Sequence, residues 1–223
     1  MPAIVGPETE ALANNAISNQ PLQGRSLASF ERMLEATKSL MLERGSEDFT
    51  LQDVSDVGSV SIGSIYLRFQ SKDRLLHAVI ARELSEVIAA EEAMMAKLLE
   101  DKSDLRNFLK QFIDAYSAHL AEHARILRTI MQRASIDPAV SGPGKETARR
   151  SYGILTDALL NFENEIAGDD PREKSLAAMQ MIFATIARQY GLGATAESGD
   201  PEIWTVMQRE LAKMAYAYLR HAD

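Results

Sequence analysis

Two very short helical runs set back to back, with a Gly-Ser pair between them, constrain this chain more than any other feature. Residues 50–76 read TLQDVSDVGSVSIGSIYLRFQSKDRLL. Leu51, Val54 and Val57 recur at helical spacing, the chain breaks at Gly58-Ser59, and Ile65 and Phe69 recur beyond it. A longer run opens at Ser71-Lys72-Asp73. Helices this short are marginal alone and must pack on a neighbour. Residues 25–44 supply one, with apolar positions at Leu27, Phe30, Met33, Leu34, Leu40 and Met41. Three helices with a sharp turn between the second and third predict a helix-turn-helix, whose last helix enters a DNA major groove.

Composition narrows the rest. The chain has 223 residues, 46% of them hydrophobic, which is enough for a sizeable core. It has no cysteine, which excludes disulfides and thiolate metal sites. Residues 1–24 hold no Lys or Arg and no long apolar run, which argues against a signal peptide. No segment reaches the roughly 18 apolar residues of a membrane helix, so a cytoplasmic protein without membrane contact is expected. The net charge of −8 at first disfavours nucleic acid, but its distribution matters more. Residues 25–82 carry eight Lys/Arg and eight Asp/Glu, so the acidity lies elsewhere. A neutral module of this kind binds DNA through a few placed cations, and its non-specific binding should be weak.

Along the chain, residues 1–24 lack a periodic stripe and are expected to be a mobile arm. Thr50 suits an N-cap, with Asp53 three residues on in a weaker version of the capping box; Ser61 and Ser71 cap the next two runs. The run from Ser71 reaches about Leu99. Another spans Ser103 to Leu120, and a separate short one carries Ile126 to Met131. DPAVSGPG at 137–144 predicts a break, followed by a helix from about Lys145 to Ile166. Asp170-Pro171 and Asp200-Pro201 open two last helices, with a flexible loop at 191–200 between them. No strand-period segment stands out. The expected fold is all-α with about nine helices: the arm, a helix-turn-helix domain over 25–70, and a larger helical domain over 71–223. The two last helices are apolar nearly all round, which implies burial on more than one face. They are either central in a monomeric bundle or, as Ala178, Met181, Ala184, Thr185, Ala212, Ala215 and Leu219 suggest, a two-fold four-helix dimer interface.

Thr50-x-x-Asp53-Val54, Val60-Ser61-x-Gly63-Ser64-Ile65-Tyr66-x-x-Phe69 and Ser71-Lys72-Asp73-x-Leu75-Leu76 together resemble the DNA-binding signature of the TetR family of one-component transcription regulators. The resemblance covers about 50 residues, from Arg32 to Arg82. It implies a homodimeric regulator, most simply a repressor, that binds a palindromic double-stranded operator and is released by a small-molecule effector. Its DNA-contacting positions would be Arg25, Thr50, Ser61, Ile62, Ser64, Tyr66, Arg68, Ser71 and Lys72. Lys72 at a helix start sits badly with the positive dipole end there, so an external anion is expected to hold it. Gly63 would permit close approach of backbone to DNA or to the preceding helix. The turn is Gly58-Ser59 where the family usually has Ala-Gly, and Ile62 and Arg68 also depart from its common residues. An effector cavity could be lined by Met94, Phe108, Phe112, Tyr116, Met131, Tyr152 and Leu155; the same stripe is equally an ordinary core.

One competing pattern is His119-Leu120-Ala121-Glu122-His123, which matches HxxEH of some zinc peptidases. Two histidines at i, i+4 can share a metal, but a third ligand is missing from this helix. No phosphate loop, nucleophile elbow or carboxylate pair accompanies it, so neither an enzyme nor a cofactor is expected. A metal-dependent hydrolase using His119, Glu122 and His123, and a helical interaction module that ignores DNA, remain the alternatives.

Overall fold

The computed structural model describes residues 6–20, 24–101, 103–192 and 201–222. Within them nine α-helices follow one another: α1 (Pro7–Ala16), α2 (Arg25–Arg44), α3 (Leu51–Gly58), α4 (Ile62–Arg68), α5 (Lys72–Glu100), α6 (Leu105–Ala134), α7 (Pro138–Leu159), α8 (Pro171–Gln189) and α9 (Pro201–Arg220). A 3-10 segment, Leu160–Glu165, extends α7. The described residues include no strand. None of their helices is long and apolar enough to cross a membrane. The chain forms two compact units: Met1–Glu86 with Arg125–Thr147, and Val87–Ala124 with Ala148–Asp223. The division therefore falls inside α5, α6 and α7 rather than at residue 70.

The first unit, the head, is built on one core. Phe30, Met33, Leu34, Leu40 and Met41 of α2 join Val54 of α3, Ile65 of α4, Phe69, and Leu75, Leu76, Val79 and Ile80 of α5. Phe30 and Phe69 stack at 5.7 Å between ring centres. The expected mobile arm is largely a helix instead. In α1, Thr9, Leu12 and Ala16 are buried, with Ala13 packed beside them, a helical stripe of small residues. Its N-terminus takes its cap from far along the chain: Glu146 on α7 accepts from the Glu8 N–H (3.1 Å), the Thr9 N–H (2.9 Å) and the Thr9 hydroxyl (3.0 Å). A carboxylate at the positive end of a helix satisfies its orphan donors, and nothing within residues 1–24 announces that partner. Residues 1–5 and 21–23 of the expected arm lie outside the described residues.

Two further expectations change. The runs at 103–120 and 126–131 form one continuous 30-residue helix, because Ala121 to Arg125 is compatible with helix and Ala124 is itself buried. The break at 137–144 shrinks to residues 135–137. Asp137 Oδ1 accepts from the Ala139 N–H at 3.0 Å and Pro138 occupies the first helical position, so α7 starts there. Pro143 lies inside α7, and buried Val140 anchors that end in the head core. Asp170 caps α8 as expected, accepting from the Glu173 N–H at 2.9 Å. The loop expected at 191–200 and the Asp200 cap fall mainly outside the described residues.

The second unit has an aromatic interior. Phe108 and Phe112 of α6 stack at 6.0 Å, Phe112 and Tyr116 at 5.3 Å, and Phe108 meets Phe162 at 4.7 Å. Trp204 of α9 donates to Ser117 Oγ at 3.2 Å, and Ser117 shares a hydrogen bond with the Tyr190 hydroxyl at 2.8 Å.

Candidate nucleic-acid interface

The helix-turn-helix is closed by backbone and hydroxyl bonds that its own sequence supplies. Thr50 and Asp53 form the full reciprocal capping box: the Thr50 N–H donates to Asp53 Oδ2 at 2.7 Å, and the Asp53 N–H donates to Thr50 Oγ1 at 3.1 Å. The Thr50 N–H and the Thr50 hydroxyl, which donates to the same Oδ2 at 3.0 Å, hold the Asp53 carboxyl below its ordinary range. At the other end of α3, the Val60 N–H donates to the Ser55 carbonyl (3.1 Å) and the Ser59 N–H to that of Asp56 (3.4 Å), the pairing of a Schellman motif. Ser59 takes the left-handed residue of that motif, with φ 48° and ψ 49°. Gly58 before it is not left-handed. It is a glycine because a Cβ there would lie 3.1 Å from the Arg32 carbonyl oxygen and 3.2 Å from Ala36 Cβ on α2. The shifted glycine thus serves helix contact, and a serine takes the strained position.

The expected contact residues separate into three groups. Ser61, Gly63, Ser64 and Tyr66 present the start and outer side of α4. Ser61 Oγ accepts from the Ser64 N–H at 3.1 Å and hydrogen-bonds the Ser64 hydroxyl at 2.7 Å. Tyr66 is 57% exposed, so it is not a core tyrosine. A Cβ on Gly63 would meet nothing within 4 Å, so no protein contact demands glycine there. Leu67 is as exposed as Tyr66, a position the motif gave no reason to select. Ile62 is half-buried against the head core, Thr50 is occupied as a cap, and Ser71 accepts from the Arg74 N–H at 3.3 Å. Arg25 is exposed at the start of α2.

Arg68 and Lys72, both expected to meet phosphate, are turned to internal partners. Arg68 donates to the Asn19 carbonyl at 2.5 Å and to Ser26 Oγ. Asn19 returns a bond to the Leu67 carbonyl at 2.7 Å, the Ser18 N–H donates to the Arg68 carbonyl at 2.8 Å, and Arg74 donates to the Asn15 carbonyl at 2.8 Å. The segment after α1 is thereby laced to the end of α4. Lys72 donates to the Glu47 carbonyl and stands 4.4 Å from the centre of the Phe49 ring. That acceptor and the ring give a lysine at a helix start partners within the chain.

Beside it lies an ion cluster that sequence reasoning missed. Arg133 donates to Glu47 (2.8 Å), Asp73 (2.8 Å) and Asp137, and Asp137 pairs with His77 at 2.7 Å. Burial works against charge at Asp137, yet His77, Arg133 and the Ala139 N–H hold its carboxyl down at about 2. The same three acids raise Arg133 against its own desolvation. Residues as far apart as Glu47 and Asp137 meet here, and only charge sign hinted at it.

The expected effector and dimer residues also redistribute. Phe108, Phe112, Tyr116 and Leu155 are buried in the second unit, with Tyr152 and Met94 half-buried there. Met131 is 44% exposed and belongs to the head, so it leaves that set. Ala178, Ala212, Ala215 and Leu219 are already covered within the single chain, since these small residues let α8 and α9 pack on each other. Met181, Ala184 and Thr185 face outward to differing degrees. His119 is buried, stacks on Tyr116 at 6.0 Å and meets the His123 ring at 4.8 Å, while Glu122 is exposed. Burial and His123 push His119 down to about 4. Among the described residues no three His, Asp or Glu side chains gather where they could hold a metal ion.

A capped three-helix head with a tight left-handed turn and an open-faced third helix defines the helix-turn-helix class of DNA-binding module. Residues 33–79 match the family described as bacterial regulatory proteins, tetR family. Over that stretch, from within α2 to within α5, the chain therefore carries a DNA-binding domain of the tetR type. Its fold is shared by solved structures of low identity. A TetR-family regulator from Mesorhizobium loti superimposes with a TM-score of 0.67 at 17% identity, covering 88% of this chain and 96% of that one. The fatty acid degradation regulator FadR from Bacillus halodurans gives 0.61 at 14%, covering 90% and 99%. Salmonella enterica GusR gives 0.58 at 18%, covering 91% and 100%. No curated protein matches the chain.

Proposed function

We propose that the chain acts as a homodimeric repressor that places α4 of each copy in a major groove of a palindromic operator and leaves it when the second unit binds a small molecule. The observation that carries the DNA-facing part is Gly63. Protein packing leaves open space at its missing Cβ, next to the exposed Tyr66 and the paired hydroxyls of Ser61 and Ser64. A glycine that the fold does not need suits a helix whose backbone approaches another molecule closely. Tyr66 offers a hydroxyl to a phosphate oxygen, and the two serines offer theirs to base edges or phosphate.

Pairing of two copies is supported by α8 and α9, whose outer faces expose Met181, Ile203, Val206, Met207 and Met214. An apolar face on two adjacent helices fits a self-complementary four-helix contact. Release by an effector requires that the effector prefer the form that does not bind DNA. Helix α5 begins at Lys72 in the head and continues into the second unit, which gives a ligand there a covalent route to the head. Footprinting on the DNA upstream of the gene tests the reading: a protected two-fold site is expected, and Tyr66→Phe should weaken it several-fold without changing the melting temperature. A purified protein that stays monomeric and ignores duplex DNA at low salt would overturn it.

A further inference from the structure

The second unit buries an acid with one oxygen that the described residues leave unsatisfied. Glu91 on α5 is 1% exposed. Its Oε2 accepts from the Ser151 hydroxyl on α7, while its Oε1 has no hydrogen-bond partner. Tyr116 is close enough to Glu91 and to Tyr152 that burial and the charges of both oppose its ionisation. Their rings are fixed by neighbours: Tyr116 stacks on Phe112, and Tyr152 meets Phe183 edge-on at 5.5 Å. Thr156, one turn beyond Tyr152, is buried and carries a second unsatisfied hydroxyl.

An unpaired buried carboxyl oxygen is costly, and a packed apolar residue would normally be more stable in its place. Among the described residues no cation bonds to that oxygen. Arg150, next to Ser151, is bound to Glu92 at 2.5 Å, and Glu92 itself adds negative charge near Glu91. His119 is held neutral by burial and by His123. Burial, opposed by the Ser151 bond and assisted by Glu92, pushes the Glu91 carboxyl up to about 7. A buried acid acceptor with a tyrosine near it, in a unit whose interior is aromatic, is the chemistry that receives an organic cation: the oxygen takes an N–H donor and π-faces suit the charge.

We propose that Glu91, Ser151, Tyr116 and Tyr152 form the recognition end of an effector site, and that the effector is an apolar organic amine bound in its protonated form. This rests on the reading of the chain as an effector-controlled regulator and adds the ligand's chemical class. The test uses three probes with the same eight-carbon chain: octylamine, 1-octanol and octanoate. Each is titrated into the full protein by calorimetry, with the fluorescence of the single tryptophan, Trp204, as a second readout. Octylamine should bind about tenfold or more tighter than octanol, the gain of a charge-assisted over a neutral hydrogen bond, with octanoate weakest. Glu91→Gln should reduce the amine-over-alcohol ratio to about threefold or less, and Ser151→Ala should lower it partially. Glu91→Leu should fold, melt no lower than the parent and lose the preference. Binding that favours octanol or octanoate, no binding of any probe, an unchanged ratio in Glu91→Gln, or a Glu91→Leu protein that melts lower would each overturn the site. Gel shifts on the upstream DNA separate the two claims. A protein that selects the amine but ignores DNA keeps this site and loses the regulator reading; one that binds DNA without selecting the amine does the reverse.

Discussion

Exchanging the two residues of the α3–α4 turn gives opposite effects at adjacent positions. Ser59 holds φ 48° and ψ 49°, a conformation that costs an ordinary L-residue about 1–2 kcal/mol. Ser59→Gly removes that strain but frees the unfolded chain, which takes back about 0.4–1 kcal/mol. The net expectation is a gain of about 0.5–1 kcal/mol. Gly58→Ala acts the other way. Elsewhere in a helix it would be worth up to about 1 kcal/mol. Here the new Cβ would sit 3.1 Å from the Arg32 carbonyl oxygen and 3.2 Å from Ala36 Cβ, neither of which is the end of a flexible side chain. Forcing α2 and α3 apart by a few tenths of an ångström carries an overpacking cost of about 1–3 kcal/mol, so a net loss near 1 kcal/mol is expected. For a chain of this length 1 kcal/mol moves the melting temperature by about 2–4 °C. Thermal melts followed by far-ultraviolet circular dichroism should show Ser59→Gly above the parent and Gly58→Ala below it. Stabilisation by Gly58→Ala, or destabilisation by Ser59→Gly, would refute the assignment of contact to residue 58 and strain to residue 59. Because the residues are neighbours, the double variant need not equal the sum.

Gly63→Ala should raise the melting temperature slightly, since the helix gains up to about 1 kcal/mol and nothing clashes; gel shifts should nevertheless show operator binding weakened about tenfold or more. Arg133→Met should destabilise the head by about 2 kcal/mol or more, because Glu47, Asp73 and Asp137 would lose their common cation; urea titration measures it. His119 has a folded value of about 4 against an ordinary 6.5, so below pH 6.5 the unfolded chain binds the proton first and stability falls as pH drops toward 4. The loss at pH 5 is about 2 kcal/mol, and the neutral variant His119→Gln should lack that part of the slope. Glu91 has the opposite sign: its folded value of about 7 lies above the ordinary 4.5, so its carboxyl is tolerated at pH 4.5 and destabilises as pH rises through 7. Glu91→Gln should therefore gain stability between pH 4.5 and pH 8, up to about 3 kcal/mol; an unchanged difference across that range would contradict the burial of this acid.

The amino-acid sequence by itself determined what is local. The Thr50–Asp53 cap, the Ser61 cap, the turn at 58–59 and the apolar stripes of α2 and α5 each rest on residues within a few positions of one another, and each is where periodicity and capping placed it. The same locality explains the errors. The helical count of nine matches only because α1 was missed while α6 was divided in two, and α1 depends on Glu146, 138 positions from Glu8. The Thr9, Leu12, Ala13 and Ala16 spacing was the available signal, obscured by small residues that read weakly as a stripe. Tertiary structure alone decided which cations are free: Lys72 and Arg68 have motif positions suited to DNA, but acceptors at Glu47, Asn19 and Ser26 hold them inward. It also decided that Ala178, Ala212, Ala215 and Leu219 are covered within one chain, and that Glu91 lies buried with an unmatched oxygen. Charge pairing, burial and satisfaction of polar atoms depend on which distant residues meet, and that is fixed by how helices pack rather than by the spacing along any one of them.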